Sequence, residues 1–140
     1  MYIKCWGSRG SIPVSGEEYN VYGGDTTCME IRTKDDRIII VDAGSGIRRL
    51  GKQLVEEGRH GFDIIFTHAH WDHLLGFPFF RPLYMRNADL RIHGCPFAEP
   101  FVEGMLGKVM SSPNFPVDFS DVKASIRYAQ GCAEMFMIGS

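Results

Sequence analysis

No apolar run in the 140-residue chain approaches the roughly 20 residues needed to cross a bilayer, and segments such as Ile38-Ile39-Ile40-Val41 fall far short. The start, Met1-Tyr2-Ile3-Lys4-Cys5-Trp6-Gly7, lacks the charged-then-apolar order of a secretory signal. Charge of one sign is also missing. Fifteen Lys and Arg stand against seventeen Asp and Glu, a net −2, which argues against a dedicated binder of nucleic acid or anionic membranes. Cys5, Cys28, Cys95 and Cys132 are widely spaced with no Cys-x-x-Cys pair, so zinc-ribbon and dithiol redox motifs are absent and free thiols are expected. There is no internal repeat and no low-complexity linker. These absences leave a cytoplasmic protein with one domain, or one large piece of a bigger one.

What is present alternates between strand and helix patterns. Tyr2 to Trp6 reads as a strand, followed by the loop Gly7-Ser8-Arg9-Gly10-Ser11 with Pro13 and Gly16. Thr27 to Thr33 alternates apolar and polar residues, and Lys34-Asp35-Asp36 turns it into Arg37 to Val41. Consecutive apolar residues there predict a strand buried on both faces. Ile47, Leu50, Leu54 and Val55 carry helical spacing, with Ser45 expected as its cap and Gly58 as its stop. Phe62 to Phe66 and Leu90 to His93 read as further strands. Glu99 to Met110 reads as a helix after Pro96 and Pro100, weakened by Gly104 and Gly107. The pattern predicts a layered α/β fold with a mixed sheet flanked by helices.

The chemistry is concentrated in Thr67-His68-Ala69-His70-Trp71-Asp72-His73, directly after the strand Phe62 to Phe66. That is the strand end at which α/β proteins tend to place ligands. Three of the five histidines fall within six residues, with a carboxylate among them. Imidazole nitrogen and carboxylate oxygen suit zinc, or iron or manganese in a similar cage. His68 and His70, two apart in an extended segment, project to one side and can hold one metal. Asp72 and His73 follow a turn and can face a second metal at roughly 3.5–4 Å. The competing reading makes Asp72 a helix cap and the histidines solvated turn residues; it accounts for one of the four.

His68-Ala69-His70-Trp71-Asp72-His73 resembles the His-x-His-x-Asp-His signature of the metallo-β-lactamase-fold hydrolases. Val41-Asp42-Ala43-Gly44 is similar to that family's earlier Asp motif, and Gly76 is a further mark. Trp6 to Pro13, Tyr22 to Cys28 and His73-Leu74-Leu75-Gly76-Phe77-Pro78 resemble the ribonuclease Z and phosphodiesterase branch. The resemblance implies the first half of an αββα sandwich. It also implies His68 and His70 on one zinc, Asp72 and His73 on another, and Asp72 orienting a metal-bridging hydroxide. Asp42 would hold the motif loop through hydrogen bonds, although a plain turn residue at a strand end is an equal reading. Ser8 and Arg9, between Gly7 and Gly10, could form an anion nest, and Arg81, Arg86 and Arg91 could hold an anionic substrate; a glycine turn and surface charge are the plainer readings.

That family completes its site from the second half of the chain, with another His, a bridging Asp and a final His. Here the remaining histidines are His60 and His93, and Asp118 and Asp121 lie in a stretch rich in Pro and Ser. Glu134 to Ser140 reads as a strand that starts and then stops. The resemblance therefore implies the N-terminal part of a longer hydrolase, or a chain with half a site. Four ligands shared by two metals leave each short, so a further segment or a second subunit is expected to supply more. An unfinished sheet leaves an apolar face and edge open, and a homo-oligomer is expected. The function expected is hydrolysis of a small-molecule or nucleotide phosphodiester, with no membrane and with RNA not indicated by charge. Ester, thioester or lactam hydrolysis and a non-catalytic metal-binding or interaction domain are the alternatives.

Overall fold

The computed structural model describes residues 1–93, 99–129 and 138. Its strands are β1 (Tyr2–Gly7), β2 (Cys28–Arg32), β3 (Ile38–Val41), β4 (Gly61–Ile65), β5 (Asp89–His93) and β6 (Ser125–Tyr128). They form one sheet in sequence order; β1, β2 and β3 are antiparallel neighbours, and β3, β4, β5 and β6 run parallel. Helix α1 (Ile47–Glu56) crosses from β3 to β4, and α2 (Glu99–Val109) lies between β5 and β6. No helix of the described residues is long and apolar enough to cross a membrane.

Register decides which side chains share the core. Glu30 pairs with Ile40, Ile40 with Ile64 and Ile64 with Ile92, so these residues lie in one row across one face. Ile38, Ile40, Ile64, Leu90 and Ile92 are buried, and Ile47, Leu50 and Leu54 of α1 join the same cluster. Each fully buried aliphatic side chain contributes about 1.5–3 kcal/mol. Phe62 meets Phe80 edge-on at 5.5 Å, and Phe66 meets Phe77 at 6.0 Å, filling the space beneath the turns after the histidine loop.

The other face differs from the expectation of a strand buried on both sides. Ile39 and Val41 are half-buried, as are Met29, Ile31 and Ile65, while Ile3 and Cys5 are exposed. The core cluster packs on the first face, so alternation along each strand divides a continuous apolar run into a dry row and a half-covered row. On the dry face Glu30 is fully buried and accepts from Trp6 Nε1 at 2.8 Å and Arg32 Nε at 2.6 Å, which offsets the cost of its burial.

Helix α1 stops where expected. Gly58 has φ +67, its N–H donates to Val55 O, and Arg59 N–H donates to Leu54 O. A left-handed residue after the helix is what that hydrogen-bond pair requires. Its start differs. Gly46 is the N-cap, and Ser45 turns away to accept from Thr26 N–H at 2.9 Å and to donate to Asp25 Oδ1 at 2.9 Å. The expected helix over Glu99 to Met110 is present, whereas β6 was not anticipated. Cys95, Cys132 and all of the segment Glu134 to Ser140 except Ile138 lie outside the described residues.

Cys5 is exposed and Cys28 is buried, both as free thiols. Burial, reinforced by the charges of Asp42 and Glu30, pushes the Cys28 thiol far above its ordinary value. Maleimide labelling of native protein followed by peptide mapping is expected to modify Cys5 and spare Cys28 until denaturant is added. Equal rates at the two thiols would contradict this packing.

Candidate active site

The carboxyl ends of β3 and β4 place two loops against each other. Asp42 N–H donates to Ile65 O at 2.8 Å, Ala43 N–H to His73 O at 2.8 Å, and Gly76 N–H to Ala43 O at 2.9 Å. A Cβ at Gly76 would fall on Gly44 O, so only glycine allows the loops to approach this closely. Asp42 has φ +62, an uncommon conformation for a residue with a side chain. There its buried carboxylate grips the next strand's loop. Oδ1 accepts from Thr67 N–H at 2.8 Å, and Oδ2 accepts from Thr67 Oγ1 at 2.8 Å and from His73 Nδ1 at 2.8 Å.

This network sets two histidine tautomers. The single Thr67 hydroxyl hydrogen goes to Asp42, so Thr67 Oγ1 accepts from His68 Nδ1 at 3.0 Å. His73 donates its Nδ1 hydrogen to Asp42. In both neutral rings the lone pair is thereby left on Nε2. The ring of His68 lies 4.4 Å from that of His70 and 4.0 Å from that of His73, centre to centre. His73 Nε2 faces Asp72 Oδ2 at 3.5 Å. With His73 neutral, two lone-pair-bearing atoms face each other there, an arrangement that a proton or another cation between them would relieve.

Asp72 sits in a 3-10 turn, Trp71–His73, whose N-cap is His70 and which has no side-chain cap, so the capping reading of Asp72 does not hold. Its Oδ2 instead accepts from Ser11 N–H at 3.0 Å, across 61 residues of sequence. That bond, with the nearby His73 and His70, holds the Asp72 carboxyl below the ordinary 3.8.

The four residues of the motif and Asp42 are thus gathered in one place. Ser8 and Arg9 are not hydrogen-bonded to them. Arg9 stacks on Tyr19 at 4.8 Å. Ser8 and Arg9 line a separate hollow of about 200 Å³ with Gly10, Tyr22 and Gly23. Their loop reaches the motif through Ser11, which has φ +69 and which the sequence did not single out. Thr67, which opens the motif, was assigned no role by the sequence, although it stands directly between the strand and the first histidine. Arg91 pairs with Asp63 at 3.7 Å and lines a cleft at the amino ends of the parallel strands, far along the sheet from the motif. Arg81 lines a cleft beside α1 with Trp6 and Lys52, and Arg86 is exposed. Asp118 accepts from Ser120 N–H as a turn cap.

The donor chemistry suits a divalent metal, since imidazoles with their other nitrogen tied to a carboxylate are the usual form of such ligands. Among the described residues, however, no group of three or more His, Cys, Asp or Glu side chains is arranged to hold an ion as it stands. The set fits in kind and is short in number.

A mixed sheet that gathers histidines and carboxylates on loops at the carboxyl ends of its strands defines an α/β protein with donors of the kind that hold divalent metals. Residues 21–103, more than half of the chain, match the family model of the metallo-beta-lactamase superfamily, and the chain belongs to that superfamily. No match was found among curated proteins. Among solved structures, a diphosphatase from the PhnP family is similar with a TM-score of 0.58 and 17% identity, over 91% of this chain and 50% of that one. The metallo-beta-lactamase fold protein YhfI from Bacillus subtilis is similar with a TM-score of 0.55 and 17% identity, over 91% of this chain and 45% of that one. The chain therefore spans about half the length of these structures, and the likeness is one of fold.

Two outcomes follow from the network. Asp42→Ala is expected to cost about 1–3 kcal/mol in urea unfolding, because Thr67 N–H and His73 Nδ1 lose their acceptor. No measurable loss would mean that the loop is held otherwise. The Asp72 carboxyl, followed by carbon-13 NMR in metal-free protein, is expected to titrate below 3.8. Since its folded value is lowered, the stabilisation it lends is present above its unfolded midpoint and lost as pH falls through the folded one. A midpoint at or above the ordinary value would remove the Ser11 bond from this account.

Proposed function

We propose that the chain supplies the first half of a metal-dependent phosphodiesterase site, with His68 and His70 on one zinc position and Asp72 and His73 on a second. Manganese or iron would suit the same donors. The observation that carries this reading is the Asp42 network, which leaves Nε2 of His68 and of His73 as free lone pairs and sets the latter against the Asp72 carboxylate. Bound metal would supply Lewis acidity toward the phosphoryl oxygens and make water a nucleophile near neutral pH. Asp72, kept ionised by Ser11 N–H, accepts a hydrogen bond from the attacking water and orients it. Asp42 fixes the imidazoles before substrate arrives.

The family's site and the absence of a closed donor set among the described residues both call for ligands beyond this loop. A second subunit packed on the half-covered sheet face is one source. The same shortage favours a second reading, in which the chain binds metal without turnover. Metal content by elemental analysis and hydrolysis of bis(4-nitrophenyl) phosphate separate the two. The hydrolase reading expects about two metals per chain, turnover abolished by chelation and by Asp72→Ala, and metal affinity reduced about 10- to 100-fold by Asp42→Ala. Turnover unaltered by Asp72→Ala would exclude the mechanism. Bound metal with no turnover would favour the second reading.

A further inference from the structure

Beside the histidine loop lies a cleft of about 690 Å³ that the site as described does not use. Its volume is in the range of small-molecule sites. One wall is the loop itself: Ala69 and Trp71, the residues on either side of His70, both line it, with Leu74 beneath. The other wall is α2, where Met105, Lys108 and Val109 are spaced i, i+3 and i+4 and so share one helical face. Asn114 lines it as well.

The glycine that weakens this helix in the sequence has a use here. Gly104 lines the cleft, and a Cβ built on it would meet no heavy atom of the described residues within 4 Å. A bulky side chain at this position, such as leucine, would project into that space. Trp71 is 57% exposed, unusual for so large an aromatic, and offers a stacking surface. Among the described residues that line the cleft, Lys108 is the charged one, so its field favours an anion. Asn114 carries both a donor and an acceptor, which can pair with the edge of a heterocycle.

We infer that this cleft takes the base of a single nucleotide, stacked on Trp71 and read by Asn114, with its phosphate between Lys108 and the histidine loop. The inference rests on the phosphodiesterase reading and narrows its substrate to small nucleotides with an aromatic base. A nucleic-acid polymer is disfavoured by the net charge of −2 and by a cleft with room for about one nucleotide.

Binding can be read without turnover. Adenosine 5′-monophosphate, ribose 5-phosphate and adenosine are titrated separately by calorimetry into Asp72→Asn protein and into the same protein carrying Gly104→Leu, Trp71→Ala or Lys108→Gln. Adenosine 5′-monophosphate is expected to bind at least about tenfold more tightly than ribose 5-phosphate, because stacking on an aromatic adds to phosphate contact. Gly104→Leu should remove that advantage without lowering Tm, since leucine is a better helix former than glycine. Trp71→Ala should remove it too, and Lys108→Gln should bring adenosine 5′-monophosphate down to the level of adenosine. Equal binding of the nucleotide and ribose 5-phosphate, or binding unaffected by Gly104→Leu in folded protein, would overturn the assignment. Turnover of bis(4-nitrophenyl) phosphate by protein with Asp72 intact is scored separately. Its absence alongside selective nucleotide binding would count against the hydrolase, whereas turnover without such binding would count against the cleft.

Discussion

The buried carboxylate of Asp42 is the constraint on which the site depends. A carboxylate with so little access to water requires donors, and it has Thr67 N–H, Thr67 Oγ1 and His73 Nδ1. Satisfying it pins the end of β3 to the loop after β4. It also orients His73 directly and His68 through Thr67. The left-handed backbone at Asp42 is the local cost of aiming the carboxylate across to the neighbouring strand, and the hydrogen bonds at its end offset that strain.

Parallel pairing makes this geometry available. β3 and β4 run the same way, so both chains leave the sheet at the same edge and their exit loops must pack together. Helix α1 covers one face, and its first turn is braced by Ser45, Thr26 and Asp25 rather than by a cap. Gly44 and Gly76 let the two loops touch. His68 and His73 are held through Nδ1 by bonds made behind them, which leaves the lone pair of each ring on Nε2. The motif is thus braced from the side of Asp42 and Thr67, and by Ser11 at Asp72.

Much of the fold was legible in the sequence. Tyr2 to Trp6 and Phe62 to Phe66 read as strands, alternation marked β2, a continuous apolar run marked β3, and the spacing of Ile47, Leu50 and Leu54 marked α1. Gly58 marked its stop. β6 escaped because four residues of alternating exposure carry a weak signal until a neighbouring strand pairs with them. Ser45 looked like a cap because serine before a helix usually is one. Only the packed loop leading into β2 showed that its hydroxyl had other partners.

The sequence by itself determined the donor types and their order, because His68, His70, Asp72 and His73 are fixed neighbours along a covalent backbone. It also determined that Gly76 follows at a set distance. Tertiary structure decided what those side chains can do. The bonds from Asp42 to Thr67 and His73 and from Ser11 to Asp72 join residues 25, 31 and 61 positions apart. No local spacing encodes such partners. They meet because strand order and register carry distant segments to one sheet edge, and there the need to satisfy a buried charge selects which nitrogen of each imidazole stays free.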